Sequence, residues 1–237
     1  MNYYDFVVRA AQESDSIQSD TDFNVVIPAM IEYAEQRIYR DLNFLNTTIT
    51  DTSVTCTANS RTVALPLSVS GSTTGFVTVT SINALSPVGT TSSNGTRNPL
   101  ARSWQKMIDF LYPTNTSSGA GSIPSIYSVI GSTNPASNAG TIFFGPPPGA
   151  AFALEITGTV RPTQLSSTNT TTYLTQYFPD LFMAAAMIYA TRQSSNATPD
   201  AVASRESQYV ALAQTAITEQ TRARYAEPLN TQRSGGL

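Results

Sequence analysis

Hydrophobic and polar positions divide the chain into helical ends and a β-patterned middle. From Leu181 to Ala190 no residue is charged, so a helix there is apolar on every face and must be enclosed by other elements. The run is too short to span a bilayer, which takes about 20 apolar residues. Pro179 suits a first helical position, and Asp180 beside it favours the positive end of the helix dipole. Ala184, Ala185 and Ala186 leave room for neighbouring backbones, so this helix is expected to be the post of a bundle. Tyr3, Phe6, Val7 and Ala10 recur at helical spacing and predict a short helix over Tyr3–Gln12. A second helix carries Ile27, Ile31, Ala34, Ile38 and Leu42 on one face. Pro28 fits only its first turn, so the regular part is expected to begin close to Ile27. A last helix is predicted from about Asp200 to Arg224, with Val202, Tyr209, Leu212, Ala213, Ala216 and Ile217 as its stripe.

Between Asn46 and Leu100 the pattern changes, with β-branched residues dominant and only Asp51, Arg61 and Arg97 charged. Arg61–Pro66 alternates, and Gly75–Ile82 reads as a second strand. Tyr127–Ile130 and Thr141–Phe144 read as strands too. Gly145-Pro-Pro-Pro-Gly149 is expected to be a rigid loop between paired strands, rather than a polyproline ligand. In the strand that follows, Phe152, Leu154, Ile156 and Val160 point one way, and Ala153, Glu155, Thr157 and Thr159 the other. The stretches 86–98 and 115–122 read as polar loops. Between them Trp104, Met107, Ile108 and Leu111 keep i, i+3, i+4, i+7 spacing, a short helix stopped by Pro113.

These patterns predict an α+β fold. A helical bundle is formed by both chain ends (1–45 and 165–224), with an inserted antiparallel β domain (46–164) and a flexible C-terminal arm (225–237). No internal repeat marks a solenoid.

Composition narrows the chemistry. Charged residues are 12% and hydrophobic ones 41%, which is not a disorder signature and suggests surfaces that other subunits could cover. The chain has no His, so Ser-His-Asp and Cys-His catalysis and His-ligated metals are excluded. The single Cys56 cannot form an internal disulfide or a thiolate cluster, and alternation with Val54 and Ala58 reads it as buried and inert. A net charge of −3 does not suit a grip on phosphate backbones. The N-terminus lacks the pattern of a secretory signal, and no membrane span is expected.

Paired carboxylates for glycoside hydrolysis are missing, since Asp109, Glu155 and Asp180 are dispersed. No phosphate-binding Gly-Lys-Ser/Thr triplet occurs. Trp104 with Lys106 could stack on and pair with a nucleic-acid strand, but Trp104 lies on the apolar stripe of its helix and core packing is favoured. No catalytic, cofactor or metal site is therefore expected. On the second helix, Glu32, Glu35, Gln36, Arg37, Arg40 and Asp41 form the polar face. Glu35, Arg37 and Arg40 are free to pair with another subunit or to stay solvated.

The order Ile27-Pro28-x-x-Ile31-x-x-Ala34-Glu35-x-Arg37-Ile38-x-Arg40-Asp41-Leu42, Pro124-x-x-Tyr127, Ile142-Phe-Phe-Gly-Pro-Pro, Arg161-Pro162-x-x-Leu165 and Pro179-Asp180-Leu181 carries a resemblance. The chain resembles the head-to-tail adaptor (head-completion or connector) proteins of short-tailed bacteriophages from Tyr3 to about Pro228. The loops at 86–98 and 114–122 carry no marker of that family. The resemblance implies a structural virion protein at the head–tail junction, assembled in the host cytoplasm. It implies a homo-oligomeric ring, usually of twelve copies, docked on the portal protein. Such a ring extends the channel through which DNA passes without specific binding, and it carries the tail nozzle or tail fibres. A tail-associated peptidoglycan hydrolase and a receptor-binding tail protein are the alternatives.

Arg222, Arg224 and Arg233 bracket Tyr225, Pro228 and Leu229 beyond the last apolar position, Ile217, where no core is left for them. Arg and Tyr are favoured at protein interfaces. Arg222, Arg224, Tyr225, Leu229 and Arg233 are therefore expected to order against the portal, within a segment from about 219 to 237.

Overall fold

The computed structural model of the chain describes residues 1–14, 21–42, 44, 47–72, 74–89, 95–116, 119, 121–131, 140–194 and 197–230. The chain divides into two compact units, one of Met1–Asn46 with Thr163–Leu237 and one of Thr47–Pro162.

The first unit holds helices α1 (Tyr3–Glu13), α2 (Thr21–Asp41), α4 (Tyr173–Tyr177), α5 (Pro179–Gln193) and α6 (Pro199–Asn230). Each short helix starts at a local lock. Asn2 and Asp5 exchange side chain-to-backbone hydrogen bonds at the start of α1, and Thr172 and Thr175 do the same for α4. Pro179 opens α5 at a position where its missing N–H costs nothing. Every residue of α5 from Leu181 to Ile188 is buried, and α1, α2, α4 and α6 all pack against this helix. Phe6, Ile27, Met30, Ile31, Ala34 and Ile38 from the N-terminal helices share one core with Phe182, Ala185 and Ala186 of α5 and Tyr209 of α6.

Helix α2 does not start near Ile27 as Pro28 suggested; it starts at Thr21, with Pro28 inside it. Pro28 lies on the exposed face, while Phe23, Ile27 and Met30 tie the turns on either side to the core. Burial of those turns outweighs one missing backbone donor.

The second unit is a seven-stranded sheet of β1 (Thr48–Asp51), β2 (Thr62–Ala64), β3 (Thr78–Ser86), β4 (Thr96–Arg102), β5 (Ile126–Ile130), β6 (Thr141–Gly145) and β7 (Leu154–Thr159), in spatial order β1-β7-β3-β4-β5-β6-β2. Helix α3 (Gln105–Leu111) falls between β4 and β5. Ile82, Leu100, Tyr127, Ile142, Phe144, Phe152, Leu154 and Ile156 form the core of this unit.

This arrangement corrects the expected fold class in three respects, though it remains α+β. The helices are interspersed with the sheet and not confined to a bundle of the two chain ends, because α3 interrupts the strands. The sheet is mixed and not purely antiparallel: β4 and β5 run parallel, with Ala101 opposite Ile126 and Arg102 opposite Tyr127. A parallel pair needs a crossover connection, and α3 lies in it. Thirdly, α6 continues through Asn230, into the segment expected to be a flexible arm. Residues 231–237 of that arm lie outside the described residues.

Two strand readings also change. Residues 96–98, taken as loop, belong to β4, whose Leu100 pairs with Ile82 and whose Pro99 pairs with Asn83. The Gly145–Gly149 segment does not close a hairpin, because β6 pairs with β5 and β2 whereas β7 pairs with β1 and β3.

The enclosure of α5 makes a direct prediction. Ala185 is fully buried, and Ala185→Asp would leave an unpaired carboxylate there at a cost of roughly 3–5 kcal/mol. Thermal unfolding of the variant should show a much lower midpoint than the parent chain; an unchanged midpoint would show that the helix is not enclosed.

Candidate functional site

Three places carry the side chains singled out by the sequence, and they differ sharply in burial. The first is the α2–α6 face. Arg37 donates through Nη1 and Nη2 to the two carboxylate oxygens of Glu206, at 3.0 and 2.6 Å. Its guanidinium also lies 4.1 Å from the centre of the Tyr209 ring and donates to the Tyr33 hydroxyl. Arg192 reaches the same Glu206 at 2.9 Å, and the Tyr209 hydroxyl donates to Asp41 at 2.8 Å. A paired fork between Arg and carboxylate is the strongest form of such a contact. The Arg37 hydrogen bonds hold the Glu206 carboxyl below its ordinary range, against the opposing pull of burial.

Glu35, Arg37 and Arg40 are therefore not brought together. Glu35 is buried on another face of α2, where one carboxylate oxygen accepts the Leu165 N–H at 2.9 Å. Loss of hydration pushes its carboxyl from 4.5 up to about 7, with the Leu165 hydrogen bond acting the other way. Arg37 is committed to Glu206 inside the chain. Arg40 alone of the three stays in solvent, with its side chain 73% exposed.

The second place is α6. Arg222 is exposed near its end, while Arg224, Tyr225 and Leu229 lie on helical backbone and Arg233 is outside the described residues. Upstream, Tyr177, Phe178, Asp180, Leu181, Leu212, Ala216 and Glu219 line an open cleft of about 160 Å³ between the start of α5 and α6.

The third place is α3, which overturns the core reading of Trp104. Trp104 is 85% exposed and Phe110 80%, with Met107 and Leu111 each 51% exposed. Ile108 is the one fully buried side chain of this helix. The floor beneath it explains why. Gly145 of β6 faces Ile108 and Tyr112 so closely that a Cβ there would lie 2.6 Å from one and 2.7 Å from the other. Arg61, stacked 4.4 Å from the Phe143 ring, sits 3.1 Å from the Asp109 carboxylate as an ion pair without hydrogen-bond alignment. The helix is thus pinned by Ile108 and Asp109, and its other apolar side chains face water.

The apolar spacing of 104–111 revealed a stripe but not what covers it. Phe110, outside that spacing, was missed altogether. No group of three His, Cys, Asp or Glu side chains that could hold a metal occurs among the described residues. Cys56 is buried, and desolvation pushes its thiol up and away from reactivity. No helix among the described residues is long and apolar enough to cross a membrane.

In comparison with known proteins, the sequence profile of a family described as SU10 adaptor protein matches residues 1–232. No curated protein matches the chain.

Two outcomes follow from the α2 geometry. Protonation of Glu35 is easier in the folded chain than in the unfolded one, so its contribution to stability is fully present below pH 4.5. That contribution is lost as pH rises through about 7. The total is on the order of 3 kcal/mol, and melting points of Glu35→Gln, which keeps an acceptor for Leu165, should be flatter across this window. Arg37→Glu would face Glu206 and Asp41 with a third carboxylate. The protomer should lose roughly 3 kcal/mol or more, with partial recovery in Arg37→Glu/Glu206→Arg when both are melted side by side.

Proposed function

Since the chain belongs to the SU10 adaptor protein family, a family of bacteriophage head-to-tail adaptors, we propose that it assembles as a ring between the portal and the tail. The family's role is structural, and it places the chain at the head–tail junction with other virion proteins. The ring, of about twelve copies in the resemblance, would extend the DNA channel and carry the nozzle or fibres of the tail. The observation that carries this reading is the extent of the family match, which takes in both compact units.

The distribution of charge supports a passive channel. Thr47–Pro162 carries five cations against three carboxylates, and the other unit carries eight against thirteen. Neither is a dense basic track of the kind that grips phosphate. Within this reading, Arg222, Arg224, Tyr225, Leu229 and Arg233 dock on the portal from the end of α6. Of Glu35, Arg37 and Arg40, only Arg40 is exposed on α2 and so open to a neighbouring copy.

Portal binding is tested by a truncation after Arg222. The last side chain of α6 with a described anchor is Gln220, which donates to the Tyr173 hydroxyl at 3.1 Å. A chain ending at Arg222 keeps that anchor, so its melting point should match the full chain while co-purification with portal rings is lost. Normal co-purification would move the docking surface off the C-terminal segment. Negative-stain images of the full chain mixed with portal check the ring itself.

A further inference from the structure

Two surfaces on this chain have matching chemistry. One is the outward face of α3, with Trp104, Met107, Phe110 and Leu111 exposed around Lys106. The other is the cleft at the start of α5, with Tyr177, Leu181, Leu212 and Ala216 as its apolar wall and Asp180 and Glu219 at its rim. We propose that α3 of one copy seats in the α5–α6 cleft of a second copy and forms the repeating contact of the assembly. This rests on the ring reading above and names the surfaces that build it.

Size and charge favour a second copy as the occupant. A cavity of about 150 Å³ takes a benzene molecule, so the cleft of about 160 Å³ accepts one aromatic ring from α3. Lys106 and Arg102 are exposed cations on and next to α3, the one carboxylate of that helix, Asp109, is paired with Arg61, and Asp180 and Glu219 are exposed carboxylates beside the cleft. Opposite charges around an apolar centre fix the register of a contact and speed encounter. An α3-to-α3 pair would bring two Lys106 side chains together. A contact that uses different surfaces on its two sides covers both the α3 face and the cleft of every copy, and it propagates from copy to copy.

Trp104 is the sole tryptophan, so the contact has a built-in reporter. Emission of the full chain should shift to shorter wavelength as concentration rises and assemblies appear in negative-stain images. Trp104→Ser and Phe110→Ser alter exposed positions, so both variants should keep the parent melting point. Each should raise the concentration for half-assembly about thirtyfold, as loss of an interface hot spot does. Mild oxidation of a Lys106→Cys/Glu219→Cys/Cys56→Ser chain should give a ladder of dimers, trimers and larger species on a non-reducing gel.

Rings with unshifted Trp104 emission and no ladder would overturn this contact and leave the ring reading standing. A ladder with a shift, seen only in open strings of copies, would support the contact and overturn the closed ring. A chain that stays monomeric with Trp104 in water at every concentration, or whose emission shifts only when a tail protein is added, would overturn the contact.

Discussion

The structure of the first unit depends on one constraint: between Leu181 and Ile188, α5 has no face left open to water. Eight consecutive residues, Leu181 to Ile188, are buried. No single neighbour can cover a helix on all sides, so α1, α2, α4 and α6 each take part. The polar contacts of this unit lie around that packing. Glu35 holds the Leu165 backbone, the Met1 ammonium donates to the Thr175 carbonyl, and Arg37 holds Glu206. Buried ion pairs seldom add much net stability, but they cost a great deal when one partner is removed. The partly buried Arg37–Glu206 fork ties one turn of α2 to one turn of α6.

Patterns that depend on a residue's own neighbours were legible in the sequence, and patterns that depend on a distant partner were not. The uncharged run of α5 could only be enclosed. The alternation of Leu154, Ile156 and Val160 could only bury one side, and all three are buried. By contrast β4, with Arg97, Asn98, Pro99 and Arg102, has no apolar alternation. It is a strand because β3 offers Leu100 a partner in Ile82 and β5 lies along its other edge. Pro28 misled for a similar reason, since its cost is local whereas the burial that overrides it comes from Phe23 and Met30 on adjacent turns.

The charged face of α2 shows the limit for site residues. Spacing within the helix could show that Glu35 and Arg37, two apart, do not face each other, and they do not. It could not show Glu206, which lies 169 residues further along the chain and draws Arg37 inward. Nor could it show that Leu165 would bring a backbone N–H to Glu35. Partners of this kind turn an apparent surface charge into part of the protomer's own framework.

Helix α3 reverses that outcome. Its spacing resembles that of a core helix, yet the sheet beneath it offers room for one side chain. Gly145 supplies the close approach that admits Ile108, and among the described residues nothing covers Trp104 or Phe110. Leaving two aromatic rings in water forfeits the burial that would repay about 2 kcal/mol or more for each. A protomer optimised only for its own stability would place polar residues there, as it does at Gln105 and Asp109. An adaptor joins other proteins, and a surface that meets them has no need to be finished within its own chain. On that argument the side chains that pack worst within the chain are the ones to examine first for assembly.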